Sequence, residues 1–271
     1  MKKTCSDNKE IKLKELEESL IDLEQLIYII SHDFRSPIVS LKGFTSELEF
    51  ACQEIEALLK NKENSISPSL HSSITDIIKS NIHQCLSFIN NAAETIHSKN
   101  DSLSQLVQIN RQQLLFCTLN TGKLVREVLH SFQETINTKN INLLVSELPD
   151  TYADRHALFK IFENLIDNAI KFLDPNRPGN ILISGFQTGC GTIFSIEDNG
   201  RGLQASEIPN VFKLFWRASN QDIKGKGTGL PYTKALVKRL HGSIICNSIY
   251  GSGTTFTFTL NQPIEDQNEL R

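Results

Sequence analysis

Glu163-Asn164-Leu165-Ile166-Asp167-Asn168-Ala169-Ile170-Lys171-Phe172 is the stretch on which the reading of this chain turns. It closes a helix that Asp154 is placed to cap at its N-terminal end, so that one helix covers about 155 to 172. Asn164 and Asn168 lie four apart, which puts both amides on one face. Neutral oxygen donors there, with Lys171 close by, suit a Mg²⁺–triphosphate, because Mg²⁺ keeps several waters and needs few protein ligands. Standing alone, the same pair is also what a solvated polar face looks like. Around this helix the pattern is mixed. Leu124, Val125, Val128, Leu129, Phe132 and Ile136 suggest a helix, and Ile141 to Leu148 reads as a strand. Ile181 to Phe186 and Thr192 to Ile196 read as two strands joined by a Gly-containing turn. A helix fits Tyr232 to Leu240, and strands fit Ser243 to Cys246 and Thr254 to Leu260. This grammar predicts an α+β sandwich over residues 113–262, with helices on one face of a mixed sheet, and a polar tail over 263–271.

Residues 1–112 read differently. Positions 9–110 hold one glycine and two prolines and are almost wholly helical in pattern. Leu13, Leu16, Leu20, Leu23, Ile27, Ile30 and Phe34 alternate spacings of three and four, the seam of a coiled coil or bundle. Ser31-His32-Asp33-Phe34-Arg35-Ser36-Pro37 lies on that pattern. His32 stands two residues from Ile30 and from Phe34, about 200° around the helix from each, so it points away from the seam. The stripe continues through Ile38, Leu41, Leu48, Cys52, Ile55 and Leu59, then breaks at a polar loop around residues 61–68. A second helix carries Ile74, Ile78, Ile82, Cys85, Ile89, Ala92 and Ile96. Two long helices joined by a short loop form an antiparallel hairpin, and a hairpin cannot enclose a core alone. A second copy completes an all-α, dimeric four-helix bundle, so a homodimer is expected.

Composition narrows the class. The chain has 271 residues, 39% hydrophobic and 22% charged, with a net charge of −3. That balance gives no general affinity for nucleic acid or an anionic membrane. No run approaches about 18 apolar residues, so no membrane span is expected. Six scattered cysteines form no C-x-x-C pair, which points to neither a zinc site nor a disulfide framework, and to a reduced, cytoplasmic setting.

Three further elements follow the paired asparagines. Glu197-Asp198-Asn199-Gly200-Arg201-Gly202 ends a strand, where Asp198 can accept from an exocyclic amine such as that of adenine. Gly225-Lys226-Gly227-Thr228-Gly229-Leu230 precedes a helix and offers backbone N–H groups to phosphate. Gly251-Ser252-Gly253-Thr254 makes a tight turn into a strand. Each is common singly: an Asp-Asn-Gly turn and a G-x-G-x-G loop both occur without ligands.

In this order, however, the elements resemble the sensor histidine kinases of two-component systems, whose GHKL-type (Bergerat) ATP-binding domain is shared with DNA gyrase B, Hsp90 and MutL. Asn164–Lys171 is similar to the N box, Asp198–Gly202 to the G1 box and Gly225–Leu230 to the G2 box. Phe212–Arg217 is similar to the F box, and His32–Pro37 to the H box of the dimerisation and phosphotransfer domain. The resemblance implies ATP and Mg²⁺ as ligands, with Asn168 the principal metal ligand and Asn164 nearby. It implies that Asp198 reads the adenine amine, that Lys171 meets the phosphates and that Phe172 borders the nucleotide. Gly200, Gly202, Gly227, Thr228, Gly229, Leu230 and Thr254 come with the glycine motifs. Residues of about 203 to 226 form a lid from which Arg217, Lys224 or Lys226 approaches the γ-phosphate.

His32 would then be the nucleophile, with Asp33 holding its other ring nitrogen, and the phosphoryl group would pass to an aspartate of a response regulator receiver domain. Ser36 stands where relatives with phosphatase activity carry Thr or Asn. About ten residues precede the heptads, so a separate sensor protein supplies the signal or the sequence is a fragment of a longer kinase. Two other classes compete: a dimeric adaptor that binds ATP or a regulator without catalysis, and an ATP-operated clamp. Asn164, at the place of the clamps' activating glutamate, argues against the second.

Overall fold

The structure, a computed structural model, describes residues 34–55, 81–218 and 227–261, and of residues 110 and 111 the backbone alone. His32, Asp33, Lys224, Lys226 and the heptads before Phe34 lie outside the described residues. The chain divides into two compact units, residues 1–101 and 102–271.

In the first unit, helix α1 (residues 34–55) faces the N-terminal part of α2 (His83–Arg111). Phe44 stacks on Phe88 with ring centroids 4.3 Å apart, and Cys85 Sγ lies 3.7 Å from a Glu47 carboxylate oxygen. Ser36 and Pro37 share a groove with Thr95 and Lys99, and Phe50 and Ala51 share one with Asn81 and Gln84, so the two helices run antiparallel. Ala51, Cys85 and Ala92 are buried between them, while Ile38, Val39, Phe50 and Leu86 are exposed. The expected apolar stripe is met in part: Cys85 and Ala92 of the second helix are buried, whereas Ile38 and Cys52 of the first are exposed, because one hairpin covers only one side of each helix.

The second unit is a five-stranded sheet with helices on one face. Its strands are β2 (Asn142–Val145), β4 (Asn180–Thr188), β5 (Gly191–Asp198), β6 (Gly242–Ile249) and β7 (Gly253–Asn261), in the order β2-β4-β5-β7-β6. β2 and β4 are parallel and the remaining neighbours antiparallel, which makes the sheet mixed as predicted. A separate ribbon pairs β1 (Phe116–Leu119) with β3 (Thr151–Asp154). The sequence reading did not contain this ribbon, because four-residue strands are too short to display alternation.

Helix α5 (Arg155–Lys171) begins where expected: the Asp154 carboxylate accepts from the Ala157 N–H at 2.8 Å. The apolar run expected to form one helix is broken at Phe132 into α3 (Thr121–Ser131) and α4 (Gln133–Thr138). Helix α6 (Gly229–Arg239) starts inside the G2 motif, three residues before the predicted Tyr232.

Strand alternation sets the two layers. Ile181, Ile183, Phe194, Ile196, Phe256 and Phe258 face the helices and are buried. Leu144, Phe186 and Ile245 face outward and are exposed. Phe162 of α5 is fully buried, edge-on to Phe194 at 5.5 Å and to Phe258 at 5.4 Å. Truncating it removes two ring contacts between the sheet and α5, the element that carries the paired asparagines. Phe162→Ala should cost about 3–5 kcal/mol in denaturant unfolding, with nucleotide affinity falling as the helix loosens. A loss below about 1 kcal/mol would contradict this placement of the core.

Candidate functional site

The two C-terminal turns of α5, the end of β5, the start of α6 and the first residues of β7 surround one cavity of about 310 Å³. Asn164, Asn168, Lys171 and Phe172 line it from α5, Asp198 and Gly202 from the G1 turn, and Gly227, Thr228, Gly229 and Leu230 from the G2 loop. Thr254 and Arg217 complete the set of anticipated residues on its wall. Gly200 does not line the cavity. It stands behind Asp198, its N–H donating to an Asp198 carboxylate oxygen at 2.8 Å. The wall also includes Asp167, Arg201, Leu203, Val211, Trp216 and Phe256, none of which the motifs singled out as ligands.

The chain reaches this geometry through close backbone approaches. A Cβ on Gly200 would stand 2.2 Å from the Phe172 carbonyl oxygen, so the G1 turn is pressed against the end of α5. Gly202 has φ +64°, and a Cβ there would meet the Ile249 carbonyl oxygen at 2.1 Å. Only glycine satisfies both demands. β7 lies beside β5, with Asp198 opposite Thr254, and this pairing brings the last glycine turn to the same cavity.

Asp198 is buried, at 7% exposure. Burial pushes its carboxyl pKa up to about 6, against the opposing bonds from the backbone N–H groups of Gly200 and Thr254. A buried acceptor that already takes two backbone donors, with its remaining capacity directed at a cavity, suits one more donor from a ligand. Beneath the pocket the Cys246 thiol is pushed up to about 12 by burial, so it stays neutral.

Lys171 pairs with Asp167 one turn earlier on α5, and the Arg201 guanidinium sits over the Phe172 ring at 4.7 Å from its centroid. The first half of the expected lid is packed. Val211 and Leu214 are buried, and Phe212 stands edge-on to Phe256 at 6.3 Å. A 3₁₀ turn covers Ile208–Asn210. The amide oxygens of Asn164 and Asn168 are neutral donors beside the Lys171–Asp167 pair, and so fit a hydrated Mg²⁺ bound mainly through a polyphosphate.

The ATPase family described as histidine kinase-, DNA gyrase B-, and HSP90-like matches residues 153–264, which contain the whole cavity wall. Residues 153–264 are thus similar to a histidine kinase-type ATPase domain. The chain's likeness to sensor histidine kinases extends beyond that domain. It is 28% identical to the methanogenesis regulatory histidine kinase FilI of Methanothrix harundinacea over 93% of this chain and 26% of the relative. It is 27% identical to the adaptive-response sensory kinase SasA of Synechococcus elongatus over 91% of this chain and 61% of that kinase. With the phytochrome-like protein Cph1 of Synechocystis sp. it shares 25% identity over 91% of this chain and 30% of the relative. The chain thus spans about a quarter to three fifths of these relatives.

Among solved structures, histidine kinase ThkA in complex with the response regulator protein TrrA superposes with a TM-score of 0.58 at 19% identity, over 93% of this chain and 65% of that one. Full-length ShkA in complex with AMPPNP gives a TM-score of 0.51 at 22% identity, over 87% and 46%. At those identities the likeness is one of fold. Among the described residues, no helix is long and apolar enough to cross a membrane.

Proposed function

We propose that this chain is an ATP-dependent protein-histidine kinase that phosphorylates itself on His32 and passes the phosphoryl group to an aspartate of a response regulator receiver domain. The observation that carries the reading is the convergence of the N, G1, G2 and last glycine motifs on one 310 Å³ cavity. Asp198 accepts a hydrogen bond from the adenine amine. The N–H groups at the start of α6, around Thr228 to Leu230, face the phosphates. Asn168 and Asn164 hold Mg²⁺, which neutralises triphosphate charge when bound. Lys171 exchanges its Asp167 partner for a phosphate oxygen, and Arg217 or Lys226 meets the γ-phosphate.

The neutral His32 imidazole attacks the γ-phosphorus. A P–N bond forms, the bond to the bridging oxygen breaks and ADP leaves. Asp33 orients the ring and stabilises its developing positive charge. A carboxylate oxygen of the receiver aspartate then attacks the same phosphorus and the P–N bond breaks. The exposed Ile38, Val39, Phe50 and Leu86 support a homodimer through the hairpin, and we place the protein in the cytoplasm, receiving its signal from a sensor segment or sensor protein.

Incubation with γ-labelled ATP and Mg²⁺ tests the reading. Label that is acid-labile and alkali-stable is expected on the chain, and chases onto a receiver domain. Nucleotide binding with no label would make the chain an adaptor instead. Sedimentation should give the dimer mass; a monomer at micromolar concentration would remove the bundle.

A further inference from the structure

We propose that Arg177, which lies outside the cavity wall, is the positioning residue of the adenine subsite: it grips the Gly200 carbonyl and so aims the Asp198 carboxylate at the bound base. The inference rests on the reading of Asp198 as the adenine-recognising group.

Arg177 belongs to the loop 173–179 between α5 and β4, a segment the motifs do not include. Its Nη2 donates to the Gly200 carbonyl at 2.6 Å. The next N–H along, that of Arg201, donates to the Phe172 carbonyl at 3.0 Å. The peptide between Gly200 and Arg201 is therefore held at both edges, its oxygen by Arg177 and its nitrogen by the end of α5. One bond further back, the Gly200 N–H holds Asp198 at 2.8 Å. An unbroken series runs from Arg177 through Gly200 to the buried carboxylate, and the 2.2 Å approach of a Gly200 Cβ to Phe172 shows that the turn has no slack.

The bond to Gly200 is complemented by an ion pair with Asp174, and together they place the guanidinium behind the turn. Arg177 Nε is buried with no hydrogen-bond partner, and the Asp174 carboxylate stands 3.9 Å from it, beyond hydrogen-bond range. The loop presents the side chain rather than leaving it to find its place. The Asn176 N–H closes on Asp174 at 3.0 Å, and that bond holds the Asp174 carboxyl below the usual carboxylate range. Asn199 braces the turn from the other side, accepting from the Asn180 N–H at 2.7 Å and donating to the Pro178 carbonyl at 2.9 Å.

Charge adds a second channel. Of the ionisable groups that act on Asp198, the neighbouring Glu197 raises its pKa and Arg177 lowers it, while burial dominates. Removing the Arg177 charge moves the ionisation of Asp198 to higher pH.

The test is equilibrium binding of ADP, ATP and GDP to the full chain between about pH 5 and pH 9, with Arg177→Gln, Arg177→Met and Asp198→Asn beside wild type and folding checked by circular dichroism. Loss of a charge-assisted hydrogen bond predicts about a ten- to hundredfold weaker affinity in both Arg177 variants. The loss is equal for ADP and ATP because it arises at the base, discrimination against GDP shrinks, and the pH midpoint of binding rises. A merely structural role would leave that midpoint and the discrimination in place. Wild-type affinity and midpoint in either folded Arg177 variant, with binding lost in Asp198→Asn, overturns the proposal. Wild-type binding by Asp198→Asn overturns the adenine reading itself, and the proposal with it.

Discussion

His32→Gln carries no acid-labile label after incubation with γ-labelled ATP, while its affinity for ATP is that of wild type. The glutamine amide keeps hydrogen-bonding capacity but has no lone pair able to attack phosphorus, so the chemical step fails while the pocket, lined among the described residues only from Asn164 onward, is untouched. The expected fall is to background, more than about a thousandfold. The control is His97→Gln. His97 is exposed on α2 with its ring 3.6 Å from Asp101, a histidine beside a carboxylate much like His32 beside Asp33. It also follows an apolar stripe but is not followed by a Phe-Arg-Ser-Pro segment like the one after His32, and its loss should leave labelling intact. Label that survives His32→Gln but disappears in His97→Gln would move the phosphorylation site to the second helix.

Asp198→Asn has the second large effect, and its two consequences run in opposite directions. Asparagine still offers an oxygen to the Gly200 and Thr254 N–H groups, but it presents no charge and can turn its NH₂ toward the adenine amine, donor against donor. Leaving a buried donor unpaired costs enough to weaken ATP about a hundredfold. Stability moves the other way. The native Asp198 carboxyl titrates near 6 against an ordinary value of 3.8, so between these pH values the folded state holds a proton that the unfolded state has released. Stability from this residue therefore falls as pH rises from about 4 to about 6 and stays lower above it, by roughly 3 kcal/mol. Asp198→Asn removes that cost, so the variant should be more stable than wild type at pH 7 and no more stable at pH 4. Urea melts at the two pH values read this directly. Equal differences at both would mean that the carboxylate is not strained by burial. In wild type the same titration makes ATP binding weaken as pH drops through about 6.

How far the residues announced these results varied by element. The α5 boundaries were legible because their causes are local: the Asp154 cap and an apolar periodicity carried within one helix. The β4–β5 hairpin was legible for the same reason, its turn lying between two alternating runs. The break at Phe132 and the β1–β3 ribbon were not, since a helix interruption and four-residue strands change too few positions to alter a pattern. Among residues of the cavity wall, Asn164, Asn168, Asp198, Gly202, Gly227 and Gly229 are nominated by motif. Trp216 and Val211 were not nominated because an apolar pocket wall has the same composition as a core. Arg177 had no signal at all, being a lone arginine in a Pro- and Asn-rich loop.

The chain's own letters determined most of the kinds of element and, through the motifs, nominated a nucleotide as the ligand and His32 as the nucleophile, because each nomination depends on residue types at short spacing. Only the tertiary structure decided that β7 inserts between β5 and β6, that Gly200 lies against the Phe172 carbonyl and that Arg177 reaches the turn from behind. Those are contacts between segments many residues apart. They are selected by the summed burial of one sheet face against the helices, a quantity that no local window of sequence contains.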